Sequence, residues 1–332
     1  MKNKLICFAL ATLVLSSCST NLNSNTTQIQ KGVVTTLSTK TNIESQVDIT
    51  RLQNYVGILS GKVNLPNGKK IAERGSLEGK KLVKEYLTSV LEKAGYTVEK
   101  QKYSNTGENL FTKLMADEKT DEYVLLGAHF DSVGNAGAND NATGTSIVLE
   151  TASLLKTLKN KKVNVIFALF DEEEKGLFGS AAMAKSFKEQ GLKISSVHTV
   201  DMFGWDSDGD KVIEIEQATN NIWDYYLMVN KNHGLNYNLS RTASGDTDHE
   251  SFRAAGFNSV GMCEEWAGGD TTPYYHKKAD TYETVNFEYM VLGAKLITAT
   301  IGDLALKVAP PIPSNSVSVN TTLPKRQRTF IK

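Results

Sequence analysis

Residues 162–170, KVNVIFALF, are nearly all apolar and give way without transition to four acids, Asp171, Glu172, Glu173 and Glu174. An apolar run without alternation fits a strand covered on both faces, because a half-exposed strand shows a polar residue at every second position. Such a strand needs a layer of structure above it and another below. The neighbouring segments supply them. Ser76 to Ala94 repeats apolar residues at helical spacing (Leu77, Leu82, Val83, Tyr86, Leu87, Val90, Leu91) and closes on Gly95. Thr143 to Leu158 carries an apolar stripe, Ile222 to Asn232 and His249 to Ala255 read as helices, and Phe287 to Leu306 as a final long one. Thr97 to Tyr103 alternates like a strand, and Tyr123 to Ala128, Val197 to Val200 and Asn258 to Cys263 are apolar strands. Strands separated by helices imply an α/β fold, a largely parallel sheet with helices on both faces. Sites in such sheets form outside the carboxyl ends of the strands.

The four acids are therefore placed where chemistry is done, and other polar residues fall beside them. His129-Phe130-Asp131 follows the strand 123–128, Asp201 follows 197–200, and Asp140 lies in GANDNATG, 137–144, which opens a helix. His276 and Asp280 stand in YYHKKADT, 274–281, before the last helix. His129 and Asp131 are two apart, so an extended backbone points both the same way; one can ligate a metal while the other fixes the ring's tautomer. Imidazole with carboxylate is a zinc-type donor set. Each piece alone has a plain structural reading, Asp140 as a helix cap and His129 as a strand-end histidine beside a surface acid.

Composition narrows the partners. The chain has 332 residues, 40% hydrophobic and 22% charged, with formal net charge zero. That is enough for one large core and gives no sign of a nucleic-acid partner. Lys2 and Lys4, the apolar stretch Leu5 to Leu15, and Ser16-Ser17-Cys18 form an export signal, and Leu15 to Cys18 resembles a bacterial lipobox. The expected organisation is a lipoprotein signal peptide over 1–17, a polar tether over 18–45 starting at an acylated Cys18, a catalytic domain over 46–308, and a disordered tail over 309–332. The partner at the amino end is then a lipid membrane, and the place is the cell envelope. Cys7 would leave with the signal, so Cys263 has no intrachain partner and, after an apolar run, reads as a buried inert thiol.

Taken together and in order, GAHFDSV, GANDNATG, FDEEEKGLFGS, VDMFGWD, DTDHESFRAAGF and YYHKKADT resemble the co-catalytic zinc aminopeptidases, metallopeptidase family 28 of clan MH. The resemblance implies a three-layer α/β sandwich around a mixed, mostly parallel eight-stranded sheet. It implies two Zn2+ ions per chain, with His129 and Asp201 on one, Glu174 and His276 on the other, and Asp140 bridging. It implies Asp131 behind His129 and Glu173 as general base, hydrolysing N-terminal residues from peptides with a free amino end. The acidic run leaves a second alignment, Glu172 as base and Glu173 as ligand; spacing to Gly176-Leu177 favours the first. Asp171 and Glu172 are then expected to be solvated extras. Tyr275 is the candidate oxyanion donor. His233 reads as a helix cap, His198 faces away from Asp201, and Asp248 with His249 reads as support. A glutaminyl-peptide cyclotransferase of the same fold is the first rival, disfavoured because GLFGS follows the acids directly. A carboxypeptidase or dipeptidase of the same clan is the second, with Arg241 and Arg253 the arginines near the motifs. A binding module with a degenerate site is the third, disfavoured because every ligand position is filled.

Overall fold

The computed structural model describes residues 42–308 and 323–328. The signal segment, Cys18 and the tether up to residue 41 lie outside the described residues. Among the described residues eight strands form one sheet: β1 (Glu99–Lys102), β2 (Glu108–Leu114), β3 (Glu122–His129), β4 (Asn164–Phe170), β5 (Lys193–Val200), β6 (Val212–Glu216), β7 (Asn238–Thr242) and β8 (Ser259–Cys263). Their spatial order is β1-β2-β4-β3-β5-β8-β6-β7. The centre, β4-β3-β5-β8, is parallel, whereas β1, β2 and β6 enter antiparallel pairings. The expected sandwich with a mixed, mostly parallel sheet is what the chain forms.

Among the described residues seven α-helices cover it: α1 (Ile49–Leu59), α2 (Leu77–Lys93), α3 (Gly144–Leu155), α4 (Phe178–Glu189), α5 (Asn220–Asn232), α6 (Asp248–Ala254) and α7 (Phe287–Leu306). One face of the sheet buries Leu126, Val165 and Phe167 against α1, α2, α3, α5 and α7. The other buries Leu125, Ile166 and Phe170 against α4 and α6. Strand β4 is buried at every position, as its unbroken apolar run requires. Side-chain oxygens cap the helices where the sequence offers them: Asp48 for α1, Ser76 for α2, Thr219 for α5 and Asn286 for α7.

Two expected boundaries move. The domain starts before residue 46, because Ile43 enters the core. The tail expected to be disordered over 309–332 has residues 323–328 seated on the domain, where Arg328 is buried among acids. A buried carboxylate offers a guanidinium a charge-assisted partner that offsets part of the entropy of ordering the segment.

His233 does end α5 as expected, but its ring is an ion-pair centre. Nδ1 lies 2.9 Å from Glu44 and Nε2 3.0 Å from Asp303, tying the start of the domain to α5 and α7. Burial opposes the ring's charge; the carboxylates of Asp303 and Glu44 outweigh it and push the pKa up to about 9 from 6.5. A raised folded-state pKa gives stability that is whole below the unfolded value and lost as pH rises through the folded one. The expected result is a loss on the order of 2–3 kcal/mol between pH 6.5 and 9. Urea unfolding of parent and His233→Gln across that window checks it; the gap between the two proteins should close as pH rises.

Candidate active site

The carboxyl ends of three adjacent strands hold the cluster. His129 is the last residue of β3, Asp171 to Glu174 follow β4, and Asp201 follows β5. Asp140 arrives on the helical turn Ala138–Thr143, and His276 on the loop before α7. His129 Nε2 lies 3.3 Å from Asp201 and 3.4 Å from one oxygen of Asp140. His276 Nε2 lies 2.9 Å from Glu174 and 3.4 Å from the other oxygen of Asp140. Asp140 thus faces both imidazoles, one oxygen to each. Glu173 points at the same centre, 3.8 Å from His129 Nε2.

Asp131 supports this from behind. Its Oδ1 is 3.5 Å from His129 Nδ1. The same carboxylate accepts hydrogen bonds from the backbone amides of Glu173 (3.1 Å) and Glu174 (3.3 Å). Tyr275 stacks on the His276 ring at 3.7 Å between centroids and meets the edge of Trp266. Burial, then the charge of Asp140, raises the Tyr275 phenol above its ordinary range, which keeps it a proton donor.

The first two acids of the run are not solvated extras. Asp171 and Glu172 are buried, and Lys80 of α2 reaches both at 2.8 Å. Tyr103, Thr106 and Lys175 also donate to Glu172. Glu172 therefore turns away from the cluster, which leaves Glu173 and Glu174 as the pair that faces it. Nothing in the local sequence of Lys80 marks it; only the fold brings α2 under β4.

Arg74 and Glu264 escaped the sequence reading, and Asp280 was named in it without a role. Asp280 accepts from the backbone amides of Asn139 (2.7 Å) and Asp140 (3.1 Å) and so fixes the Asp140 turn. Glu264, wholly buried, accepts from Asn139 Nδ2 and the Gly204 amide. Arg74 is fully buried, and its guanidinium donates to the carbonyls of Phe130, Ala136, Gly137 and Leu59. The aspartate of the YHKKAD segment was a visible signal for Asp280; Arg74 and Glu264 carried none. Left-handed backbone at Glu172, Met202 and His276 marks the same neighbourhood, costing about 1 kcal/mol or more each.

The other histidines stay out of the cluster. His198 hydrogen-bonds Tyr226 and Ser196 inside the core, and burial pushes its pKa down to about 3. His249 and Asp248 are buried, and neither belongs to a group of ligand atoms found among the described residues. Cys263 is buried and free, as expected, and burial raises its thiol well above the ordinary range.

The sequence profile of Peptidase family M28 matches residues 109–300. The chain belongs to peptidase family M28. Aminopeptidase YwaD of Bacillus subtilis is 31% identical over 217 residues, 63% of this chain and 47% of that protein. The LapA aminopeptidase of Legionella pneumophila has the same fold, with TM-score 0.71 at 21% identity over 79% of this chain and 73% of that one. A Bacillus subtilis structure described as BSAP, a zinc aminopeptidase, matches 58% of this chain and 49% of its own at 27% identity, with TM-score 0.55. The chain spans about half the length of the curated relatives it matches.

The donor set of this M28 domain suits two divalent cations. Ligand atoms of His129, Asp140 and Asp201 lie within 4.8 Å of one another, and so do those of Asp140, Glu174 and His276. Glu174 Oε1 is buried with no hydrogen-bond partner. Burial opposes charge on both imidazoles, yet the surrounding carboxylates outweigh it: His129 is held well above its usual range by Glu173 and Asp201, and His276 is pushed up to about 10 by Asp140 and Glu174. A centre that draws protons onto its histidines has a surplus of negative charge, which cations would neutralise.

Proposed function

We propose that this M28 protein is a zinc-dependent aminopeptidase that holds two Zn2+ ions and releases N-terminal residues from peptides. The observation that carries the reading is Asp140, with one oxygen 3.4 Å from His129 and the other 3.4 Å from His276. His129 and Asp201 would hold one ion and Glu174 and His276 the other, with Asp140 shared. Zinc, when bound, supplies Lewis-acid polarisation of the scissile carbonyl and a lowered pKa for water.

The chain's own groups do the rest. Glu173 takes the proton from the attacking water at its carboxylate and delivers it to the leaving nitrogen. The Tyr275 hydroxyl donates to the oxygen on which negative charge develops. Asp131 keeps a proton on His129 Nδ1, so that Nε2 presents its lone pair. The carboxylate-rich centre favours a substrate with a free α-ammonium group. Arg241 donates to the Ala218 carbonyl and to Asn220 Oδ1, and Arg253 Nη2 to the carbonyls of Gln217 and Ser259. An acylated Cys18 would hold the domain at a membrane of the cell envelope; Cys18→Ser should release it into the soluble fraction.

A paired assay tests the activity: release of nitroaniline from aminoacyl-nitroanilides, and loss of ammonia from N-terminal glutaminyl peptides. The first without the second is the expected outcome, and the reverse would move the protein to the cyclotransferase class. Stripping the metal should lower stability by about 4 kcal/mol if zinc was present at a thousand times its Kd. For a domain of this size that is roughly 10 °C in Tm. Calorimetry before and after dialysis against a chelator reads the shift, and returning zinc should restore it.

A further inference from the structure

Residues 323–328 run along the loop that follows β7. Pro324 carbonyl accepts from the Ala243 amide (2.7 Å), the Arg326 amide donates to Ser244 Oγ (3.2 Å), and the Arg328 amide donates to Asp246 (3.2 Å). Trp266 Nε1 donates to the Arg326 carbonyl at 3.1 Å. From this strap the Arg328 side chain, 3% exposed, enters a recess beside the cluster. Nη1 lies 3.3 Å from Glu216 Oε2 and 3.1 Å from the Gly245 carbonyl, and Nη2 lies 3.0 Å from Cys263 Sγ. Nε is 3.8 Å from Asp201, whose other oxygen is 3.3 Å from His129. Trp266 closes one wall, with the guanidinium 5.0 Å from its ring centroid.

The acid lining belongs to the sheet, not to the strap. Glu214 and Glu216 alternate onto one face of β6 and are wholly buried, and each keeps one carboxylate oxygen with no hydrogen-bond partner. Gly261 of β8 leaves the room: a Cβ there would stand 2.7 Å from Glu216 Oε2. Two buried carboxylates under an aromatic wall select a cation, and a guanidinium above all, because it can pair with carboxylate and lie against the indole together.

We infer that this recess is the pocket for the side chain of the substrate's N-terminal residue, selective for arginine and lysine, and that the chain's own Arg328 occupies it as a competitor. The inference rests on the aminopeptidase reading for the word substrate; the cation pocket itself does not. A substrate side chain would reach Glu216 from the side of Asp201, whereas Arg328 reaches it from the side of Asp246. Both cannot be present, so the strap sets how much enzyme is open to basic substrates.

The test compares the full chain with Arg328→Ala, Arg328→Lys, and a chain ending at residue 322, on arginyl-, lysyl- and leucyl-nitroanilides. The expected result is a rise of roughly tenfold or more in the arginyl-to-leucyl ratio of kcat/KM for Arg328→Ala and the shortened chain, one charge-assisted pair being worth about that factor. Arg328→Lys should behave as the parent. Adding Glu216→Gln to the shortened chain should abolish the gain. Agmatine should protect the shortened chain, but not the parent, against thermal unfolding, and should do so with and without zinc. An unchanged ratio overturns the pocket. So does a shortened chain and an Arg328→Ala protein that both fail to fold, since Arg328 is then a pillar of the fold. Loss of turnover on every substrate in every protein overturns the peptidase reading instead; the agmatine measurement then judges the recess alone, protection upholding it and its absence overturning it.

Discussion

Glu173→Gln is expected to lower kcat on aminoacyl-nitroanilides by roughly 10²–10⁴-fold while leaving zinc content unchanged. The amide is close to isosteric and cannot accept the proton of the attacking water. In barrier terms the loss is about 3–5 kcal/mol. Glu173 reaches the centre without being tied to His276, as Glu174 is, and without being neutralised by a lysine, as Glu172 is. Glu172→Gln should therefore spare kcat and act on stability. Steady-state kinetics with metal analysis on both variants settles the assignment: a Glu173→Gln protein that turns over like its parent would remove the general base from the mechanism.

Lys80→Met should destabilise the domain by about 3–5 kcal/mol, the usual effect of leaving one side of a buried ion pair unpaired. Lys80 is 2% exposed and 2.8 Å from both Asp171 and Glu172. Burial already pushes Asp171 up to about 6, with the neighbouring Asp131 adding to it. Burial also works against the charge of Glu172, yet Lys80, Lys175 and Thr106 hold it down at about 2. Without the ammonium both acids face a low-dielectric interior. Urea unfolding measures the change, and Asp171→Asn with Glu172→Gln in the same protein should recover most of it. A loss under about 1 kcal/mol would mean that water, not Lys80, solvates the pair.

The parts of the fold that could be read in advance were those with one uninterrupted signal. The apolar run before Asp171 announced β4, and the helical spacing from Leu77 to Leu91 announced α2 almost to the residue. Strands β6 and β7 gave no such signal. VIEIE alternates but spans only five residues and buries its two glutamates as well as its isoleucines, and NLSRT is a short polar edge. Helix α4 starts directly behind the acidic run, whose charge hid it.

The site divides in the same way. His129, Asp140, Glu174, Asp201 and His276 lie in short motifs whose residue types state their chemistry, and the fold gathers them into two triads that share Asp140. Arg74, Lys80, Glu264 and Arg328 act through contacts between segments far apart in sequence. No local pattern encodes a long-range salt bridge, so residues that neutralise or brace the centre emerge only in three dimensions.

The double grip of Asp131 has a mechanical side. Its carboxylate sits beside the ring of β3's last residue and holds the amides of the two glutamates after β4. Those strands run side by side in register from Tyr123 opposite Asn164 to His129 opposite Phe170. The gap between the His129 imidazole and Glu173 is thereby indexed to the interstrand repeat, roughly 4.8 Å, a dimension that thermal motion hardly alters. On the proposed activity, the tolerances of the site would be those of the sheet ladder, so changes in the surrounding loops would alter which peptides enter without shifting His129 against Glu173.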